Sequence, residues 1–320
     1  MTYYNKIDEA IRAARLYYYH NKKTKAIANE MNVSRSTVSR LLKFAREEGL
    51  VNINIIDPAV EPRLIEKKIA DRFDDIHVHV VPVPETTSEA EWLNRIAHYT
   101  ARYLNTVFGS NMTLGIAWGT TLTAVSKCLI KKTTLNSQIV QLNGAGNTLS
   151  MGIEYASEII MLFSENYQAR AHLFPLPCFF DYPETKQALW QERSIKRLLD
   201  IQKQADILLF SIGAVNAGTP SHVYSGGYLN ERDYKELEEL DVVGDIATVF
   251  FKSNGDYKNI PHNERASGPE LSFFRDKHSI CIVSGLAKVR GLYSALKGRY
   301  IKELIVDEPT ALELVRTYLS

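Results

Sequence analysis

The sequence predicts an α/β fold with a mostly parallel sheet and helices on both faces, preceded by a small helical segment. Three observations lead to this fold class. From Pro62 onward, short apolar strands alternate with segments of helical periodicity. Several strands are continuous apolar runs, such as Ile207–Phe210, which indicates burial on both faces. The 320 residues, 45% of them hydrophobic, suffice for two domains with cores of their own.

The first 57 residues predict a helical unit. In chain order, the predicted elements are a helix over Asp8–Tyr19, a helix capped by Thr24 that runs to Met31, a turn at Asn32–Val33, a helix capped by Ser34 that runs to about Glu48, a left-handed residue at Gly49 and a strand over Leu50–Ile56. Asp57–Pro58 closes the strand, and Asp57–Glu61 is the predicted linker. The predicted domains are therefore 1–57 and 58–320.

The sequence of the larger domain predicts strands that alternate with helices. The expected strands are Ile76–Val83, Thr113–Trp118, Gln138–Leu142, Asp206–Ile212, Ser279–Ser284 and Glu303–Val306. The expected helices are Glu61–Phe73, Ser88–Val107, Thr120–Ile130, Ile153–Asn166, Leu286–Leu296 and Pro309–Leu319. Asn254–Gly255 is the expected turn of a hairpin, because Asn-Gly favours tight hairpin turns.

The segment from Thr24 to Arg40 has the pattern of a helix-turn-helix. Ala28 is small enough for two helices to cross closely, and Asn32 tolerates the backbone of a tight turn. Polar groups that suit base edges and phosphates project from the start of the second helix: Ser34, Arg35, Ser36, Thr37, Ser39 and Arg40. The alternative is a helical hairpin with a solvated polar face. The combined pattern favours DNA binding, with Arg35 and Ser36 facing bases and with Thr37 and Arg40 facing phosphates.

The distribution of charge agrees with a DNA-binding N-terminus. The whole chain has a formal net charge of +1, but its first 57 residues hold 10 Lys and Arg against 6 Asp and Glu. The remainder holds 28 basic and 31 acidic residues. A basic first domain followed by a mildly acidic second domain is typical of a protein whose N-terminus binds DNA phosphates. The alternative is that the net charge of so short a segment differs from that of the rest by chance.

A candidate anion site lies at Gly119, Thr120 and Thr121, where a predicted strand gives way to a helix. The first turn of a helix exposes unpaired N–H groups and the positive end of the helix dipole. Gly119 permits close approach of a ligand to the backbone, and two hydroxyls add donors. The segment is not a Walker loop, since the G-x-x-x-x-G-K pattern is missing. The alternative is a simple N-cap by Thr120.

Other polar residues follow or flank later strands and are further candidates for ligand contact. Asn143 and Gly144 open a tight loop that lacks the third glycine of a dinucleotide fingerprint. Asp245 lies among apolar residues, where an unpaired carboxylate is costly, so we expect it to accept hydrogen bonds from ligand hydroxyls. Arg265 is expected to face a phosphate or a carboxylate, and Lys288 follows a strand end. Structural turns, caps or a solvated lysine are the alternatives.

Composition predicts neither a disulfide nor a metal site. Cys128, Cys178 and Cys281 are far apart and lie among apolar residues, so we expect free thiols and a reducing, cytoplasmic setting. No apolar run approaches the roughly 20 residues that span a bilayer, so no membrane partner is expected. We expect no cofactor and no catalytic residue.

Taken together, these segments resemble the SorC/DeoR family of sugar-responsive transcriptional regulators. The resemblance covers nearly the whole chain and rests on the helix-turn-helix pattern, Trp118–Thr121, Gln141–Gly146, Ser211–Ala214, Gly226–Leu229, Val243–Ile246 and Asp307–Ala311. It implies a Rossmann-type domain related to sugar-phosphate isomerases and deaminases, whose effector alters oligomerisation and operator affinity. It also implies a phosphate pocket at Gly119, Thr120, Thr121 and Lys288, with Asp245 on the sugar hydroxyls.

Two departures from the family pattern bear on ligand binding. The late loop reads Ser284–Lys288, where the usual pattern is a glycine pair. Asn143 stands where members that capture an aldehyde covalently need a lysine, and an amide cannot form a Schiff base. We therefore expect noncovalent binding of a phosphorylated sugar or polyol.

The sequence thus favours a regulator that binds double-stranded operator DNA as a dimer or tetramer. Two alternatives remain open at this point. One is an isomerase- or deaminase-like enzyme with Asp245 as base and Lys288 on the phosphate, which would need a second acid–base group. The other is a DNA-binding protein whose larger domain no longer senses a ligand.

Overall fold

The computed structural model describes residues 3–51, 62–84, 87–147, 153–214, 222–225 and 227–319. The chain divides into two compact units, Met1–Pro58 and Ala59–Ser320. The predicted linker lies outside the described residues, as does the predicted strand apart from Leu50 and Val51, neither of which is in a strand.

Three helices form the first unit: α1 (Tyr3–Ala14, continued by a π-helical turn over Arg15–Tyr19), α2 (Thr24–Met31) and α3 (Arg35–Glu47). The buried positions of α3 are Val38, Leu41, Leu42 and Ala45, which follow the i, i+3, i+4, i+7 spacing of one helix face. This face packs with buried residues of α1 and α2 into one core.

The turn between α2 and α3 forms as its residue types require. Asn32 adopts the left-handed conformation with a φ of 57°, and the Ser34 hydroxyl accepts a hydrogen bond from the Thr37 amide. Gly49 has a φ of 67°, as expected after a helix end. The prediction that Thr24 caps α2 is wrong, because Lys23 occupies the cap position and Thr24 is the first helical residue.

The second unit contains nine strands and twelve helices in its described residues. The strands are β1 (His77–Val81), β2 (Thr113–Ile116), β3 (Gln138–Gln141), β4 (Arg170–His172), β5 (Ile207–Gly213), β6 (Val242–Ile246), β7 (Val249–Lys252), β8 (His278–Val283) and β9 (Glu303–Asp307). The helices are α4 (Pro62–Ala70), α5 (Glu89–Val107), α6 (Thr120–Lys127), α7 (Ile153–Tyr167), α8 (Pro183–Leu189), α9 (Arg193–Lys203), α10 (His222–Ser225), α11 (Glu231–Glu239), α12 (Pro261–Arg265), α13 (Ser272–Arg275), α14 (Val289–Lys297) and α15 (Glu308–Leu314). A 3₁₀ turn (Leu286–Lys288) precedes α14, and a π-helical turn (Val315–Leu319) follows α15. None of the helices in the described ranges is long and apolar enough to cross a membrane.

Seven strands form a parallel sheet in the order β1-β9-β8-β5-β2-β3-β4. From β2, the chain first adds β3 and β4 on one side and then returns to add β5, β8 and β9 on the other. The direction of winding therefore reverses between β2 and β5. In open α/β sheets, ligands bind beyond the carboxyl ends of the strands at this switch point.

The central strand β5 is buried on both faces. Leu208, Phe210 and Ile212 belong to a core shared with α4, α14 and α15. Ile207 and Leu209 belong to a second core shared with α5, α6 and α7. This confirms the predicted α/β class, with helices on both sides of a mostly parallel sheet.

An antiparallel hairpin, β6–β7, extends from the end of β5, where Gly213 pairs with Asp245. A Cβ on Gly244 would lie 2.5 Å from the Gly213 carbonyl oxygen, so the close approach of these strands requires glycine. A tight turn forms at Asn254–Gly255 as predicted, where the Gly255 amide donates to the Lys252 carbonyl, but no described strand directly follows it. The β6–β7 hairpin itself closes at Ala247–Thr248.

Candidate functional site

A cavity of about 280 Å³ lies at the carboxyl ends of β2 and β5, at the switch point of the sheet. Six of the eight predicted ligand-binding residues line it: Gly119, Thr120, Thr121, Asn143, Asp245 and Lys288. They come from four different strand ends or loops, which the fold brings to one place. Gly144 and Arg265 are not among its lining residues.

One side of the cavity is formed by the start of α6 and by Lys288. Gly119 occupies the cap position of α6 with a φ of 150°, and no side chain caps this end of the helix. The Lys288 ammonium lies 3.4 Å from Thr121 Oγ1 and 3.3 Å from Ser211 Oγ. Amides, hydroxyls and an amine therefore converge, and all of them can donate hydrogen bonds to an anion.

The electrostatic state of Lys288 favours an anionic ligand. Burial lowers the pKa of Lys288, and the acidic groups of Asp245, Asp307 and Glu89 oppose that shift. Among the described residues, no carboxylate forms an ion pair with this amine. A phosphate placed here would supply the missing opposite charge.

Asp245 supplies a hydrogen-bond acceptor to the cavity, whereas Lys288 and the start of α6 supply donors. Its side chain is only 4% exposed, and Oδ2 accepts a hydrogen bond of 3.1 Å from the Thr248 amide. Burial raises the pKa of Asp245 to about 6, although the Thr248 amide and the Lys288 charge oppose the rise. The Tyr224 hydroxyl also lies beside this carboxylate, and its hydrogen bonding to Asp245 opposes the rise as well. Among the described residues, Oδ1 has no hydrogen bond of normal geometry, so it can accept one from a ligand hydroxyl.

Buried polar atoms without a partner concentrate in this cavity. Ten buried side-chain nitrogen or oxygen atoms in the described ranges form no hydrogen bond, and four of them belong to lining residues. These four atoms are Asn143 Oδ1, Asp245 Oδ1, Thr248 Oγ1 and Ser284 Oγ. Because unsatisfied buried polar atoms are costly, their concentration points to a ligand with several hydrogen-bonding groups.

The two remaining predicted ligand residues have structural partners instead. The Gly144 amide donates to Ser267 Oγ at 2.9 Å, and a Cβ on Gly144 would lie 2.3 Å from the Pro177 carbonyl oxygen. Gly144 therefore permits close packing of two loops. Arg265 forms an ion pair of 3.0 Å with Asp233, which also contacts His262 at 3.1 Å. This cluster links α11 to α12.

The comparisons with known proteins agree with this geometry. Residues 57–316 match the model of a family described as "Putative sugar-binding domain". The deoxyribonucleoside regulator of Bacillus subtilis (strain 168) is 34% identical over 307 residues, which are 96% of this chain and 96% of the relative. The chain belongs to the SorC/DeoR family of sugar-binding transcriptional regulators. This confirms the resemblance inferred from the sequence motifs.

Two solved structures of this family align closely with the chain. A domain of a possible sugar-binding transcriptional regulator from Arthrobacter aurescens TC1 is 45% identical, with a TM-score of 0.76, and covers 81% of this chain and 100% of its own. The full-length sorbitol operon regulator SorC from Klebsiella pneumoniae is 25% identical, with a TM-score of 0.70, and the alignment covers 97% of this chain and 99% of SorC. The relatives are regulators of transcription, so the family membership supports a regulator and not the enzyme alternative.

In this SorC/DeoR regulator, the predicted DNA-facing residues lie along the start of α3. Ser34, Arg35, Ser36, Ser39 and Arg40 are exposed, and Thr37 is half-buried. The Arg40 guanidinium is held near Thr37 Oγ1 at 3.4 Å, and the Ser34 hydroxyl is engaged as the helix cap. No described residue forms an ion pair or side-chain hydrogen bond with Arg35, whose guanidinium can therefore reach a partner.

Sequence reasoning missed four polar residues of the cavity: Glu89, Ser211, Thr248 and Ser284. Ser211 and Ser284 lie at the carboxyl ends of β5 and β8, and this position in a buried strand could have revealed them. Thr248 carries no such signal, because its place in the cavity depends on the turn of the β6–β7 hairpin.

Proposed function

We propose that this chain controls a carbohydrate or polyol operon by binding operator DNA through α3, with an affinity that a phosphorylated sugar or polyol changes when it occupies the cavity at the switch point. The observation that carries the proposal is the pairing of an anion-binding side with a carboxylate- and hydroxyl-lined side in one cavity. The names of the relatives, which refer to a deoxyribonucleoside and to sorbitol, support an effector of the sugar class.

The phosphate of the effector is proposed to bind at the start of α6. The amides of the first turn, the Thr121 hydroxyl and the Lys288 ammonium would donate to its oxygens. Gly119 would permit the phosphate to approach the backbone closely, because it has no side chain. A Cβ at this position would also strain the backbone, whose φ is 150°.

The hydroxyl groups of the effector are proposed to meet Asp245 and Asn143. Both side chains present a buried oxygen without a partner, and both oxygens can only accept hydrogen bonds. We also propose that binding is noncovalent, because Asn143 has no nucleophilic nitrogen and the Lys288 amine is assigned to the phosphate.

The DNA-binding half of the proposal requires two copies of α3. One helix-turn-helix unit offers few base contacts, so specific binding at physiological salt favours a dimer or a tetramer that spans two half-sites. Arg35 and Ser36 would face bases in the major groove, while Thr37, Ser39 and Arg40 would contact the backbone.

A gel shift at fixed salt tests both halves of the proposal. The probe is the DNA upstream of the gene for this protein, with and without sorbitol 6-phosphate, ribose 5-phosphate, glucose 6-phosphate or their unphosphorylated counterparts. We expect a specific shift that at least one phosphorylated compound changes and that its unphosphorylated counterpart does not. A shift that no compound changes would refute the sensor, and no specific shift would refute the regulator.

A further inference from the structure

The turn of the β6–β7 hairpin adopts a backbone conformation that its residues disfavour. Ala247 has a φ of 47° and Thr248 a φ of 72°. Tight hairpin turns with positive φ at both central positions normally use Asn, Asp or Gly. A β-branched residue at such a φ is a marked outlier, and strain of this kind is found where it serves a ligand site.

The surroundings hold this turn in place. The Thr248 amide donates to Asp245 Oδ2, and a Cβ on Gly268 would lie only 1.8 Å from the Ala247 carbonyl oxygen. The turn therefore packs tightly against its neighbours and cannot relax without moving the carboxylate.

The side chain of Thr248 gives this strained conformation a use. It is 1% exposed and lines the cavity, and its hydroxyl has no hydrogen-bond partner among the described residues. Asp245 Oδ1, on the residue whose other oxygen binds the Thr248 amide, also has no partner. Two residues that are joined by a hydrogen bond and line the same cavity thus each carry a buried oxygen without a hydrogen bond of normal geometry.

We propose that Thr248 determines effector specificity, because its hydroxyl and Asp245 Oδ1 together bind two adjacent hydroxyls of the effector. This inference rests on the proposed function and narrows it to effectors that carry a vicinal diol. A glycine in the turn would form the same hairpin without strain but would leave one of the two hydroxyls unbound. The threonine is therefore retained for recognition at the expense of local stability.

The ring forms of two pentose phosphates test this assignment. Ribose 5-phosphate has adjacent hydroxyls at carbons 1, 2 and 3, whereas ring-form 2-deoxyribose 5-phosphate has no adjacent pair. By titration calorimetry, the wild-type chain is expected to bind ribose 5-phosphate about tenfold more tightly than its deoxy counterpart, the value of one hydrogen bond. Thr248→Gly is expected to bind both with nearly equal affinity, and Thr248→Ser to keep most of the preference.

A second measurement separates recognition from strain. Without ligand, Thr248→Gly is expected to raise the Tm by about 2 °C, because strain and a buried unpartnered hydroxyl are removed. The matched control is Gln168→Gly, which relieves a φ of 51° at an exposed residue outside the cavity. This control is expected to leave the preference between the two pentose phosphates unchanged.

The outcomes distinguish this inference from the proposed function. A wild-type chain that binds both pentose phosphates equally, or a Thr248→Gly variant that keeps the wild-type preference, would overturn the inference and leave the phosphate site intact. If neither pentose phosphate, sorbitol 6-phosphate nor inorganic phosphate binds the wild-type chain, the proposed function fails and this inference fails with it.

Discussion

Replacing Lys288 by methionine tests the phosphate end of the cavity, because it removes the amine and keeps most of the unbranched side chain. The Lys288 amine lies within 3.4 Å of two hydroxyls and has no ion-pair partner among the described residues. Hydrogen bonds to charged groups contribute about 1.5–3 kcal/mol, so the variant should bind a phosphorylated effector about 10- to 150-fold more weakly. Folding should not suffer, since burial already disfavours the charged amine and Ser211 Oγ still donates to Thr121 Oγ1.

The assay is titration calorimetry with sorbitol 6-phosphate and with sorbitol, combined with a thermal melt of each variant. Lys127→Met, at an exposed position near the end of α6, is the matched control and should bind as the wild type does. The reasoning is refuted if Lys288→Met keeps wild-type affinity for sorbitol 6-phosphate, or if it loses affinity for both compounds equally.

Three further predictions concern other parts of the molecule. Burial alone would raise the pKa of Glu303, but hydrogen bonds from His278 and His79 outweigh it and hold that pKa well below its usual range. The stability from this carboxylate should therefore be present above the unfolded pKa of roughly 4.3 and be lost at lower pH. The free energy of unfolding, measured in urea, should be about 2 kcal/mol lower for Glu303→Gln than for wild type at pH 7, and this difference should close toward pH 3. Because burial raises the pKa of Asp245 to about 6, effector affinity should decrease as the pH falls through 6. The phosphate of the effector also titrates, so Asp245→Asn should remove only the part of the pH dependence that comes from the carboxylate. Calorimetry from pH 5 to 8 would measure both profiles. Arg35→Ala should weaken operator binding in a gel shift by about 1–3 kcal/mol, while effector binding to the same variant stays at the wild-type level.

Each of these three predictions has a result that contradicts it. A constant stability gap between wild type and Glu303→Gln from pH 7 to pH 3 would show that the buried carboxylate is not the group that titrates. Identical pH profiles for wild type and Asp245→Asn would remove Asp245 from ligand binding. Equal losses of operator affinity for Arg35→Ala and for Lys43→Ala, whose lysine pairs with Glu47 further along α3, would indicate a general charge effect and no base contact.

The sequence predicted those elements whose burial follows a simple period. Six of the seven strands of the parallel sheet and the long helix α5 lie within a few residues of their predicted bounds, because continuous apolar runs and a helical stripe mark them. The three-residue edge strand β4 was not predicted. Helix α9 was missed although Ile195 and Ile201 are buried. Its third buried position is Gln202, a polar residue whose amide donates to the carbonyls of Gln141 and Leu142, so the apolar stripe is short.

The hairpin turn shows a different limit of local sequence preference. Asn254–Gly255 has the residue types that favour a two-residue hairpin, and Gly255 does adopt a φ of 86°. The hairpin nevertheless closes at Ala247–Thr248, where the Asp245 carboxylate and tight packing stabilise an unfavourable backbone. Both turns form, and tertiary contacts that no local pattern encodes allow the second one, at Ala247–Thr248, to close the hairpin.

The candidate site was predictable where topology alone fixes position. Thr121 and Asn143 follow β2 and β3, which are neighbours in the sheet, and Lys288 follows β8, which β5 separates from β2. Their convergence follows from the rule that ligands lie at the carboxyl ends of parallel strands. Arg265 follows no strand of the parallel sheet. Its place depends on how α12 packs against α11, a helix that the sequence did not reveal, and there it pairs with Asp233.

The properties of Lys288 and Asp245 explain why an effector needs both a phosphate and hydroxyl groups. Burial lowers the pKa of Lys288 and raises the pKa of Asp245, so it favours the neutral form of both side chains. A ligand that supplies a partner for each charge therefore stabilises the charged forms. Asp245 belongs to the β6–β7 hairpin and Lys288 to the turn before α14, so a ligand that contacts both joins two separate elements of the fold. A ligand changes an equilibrium only by its difference in affinity for the two states. Inorganic phosphate, which reaches the Lys288 end alone, should therefore bind without joining these elements and should leave operator affinity unchanged.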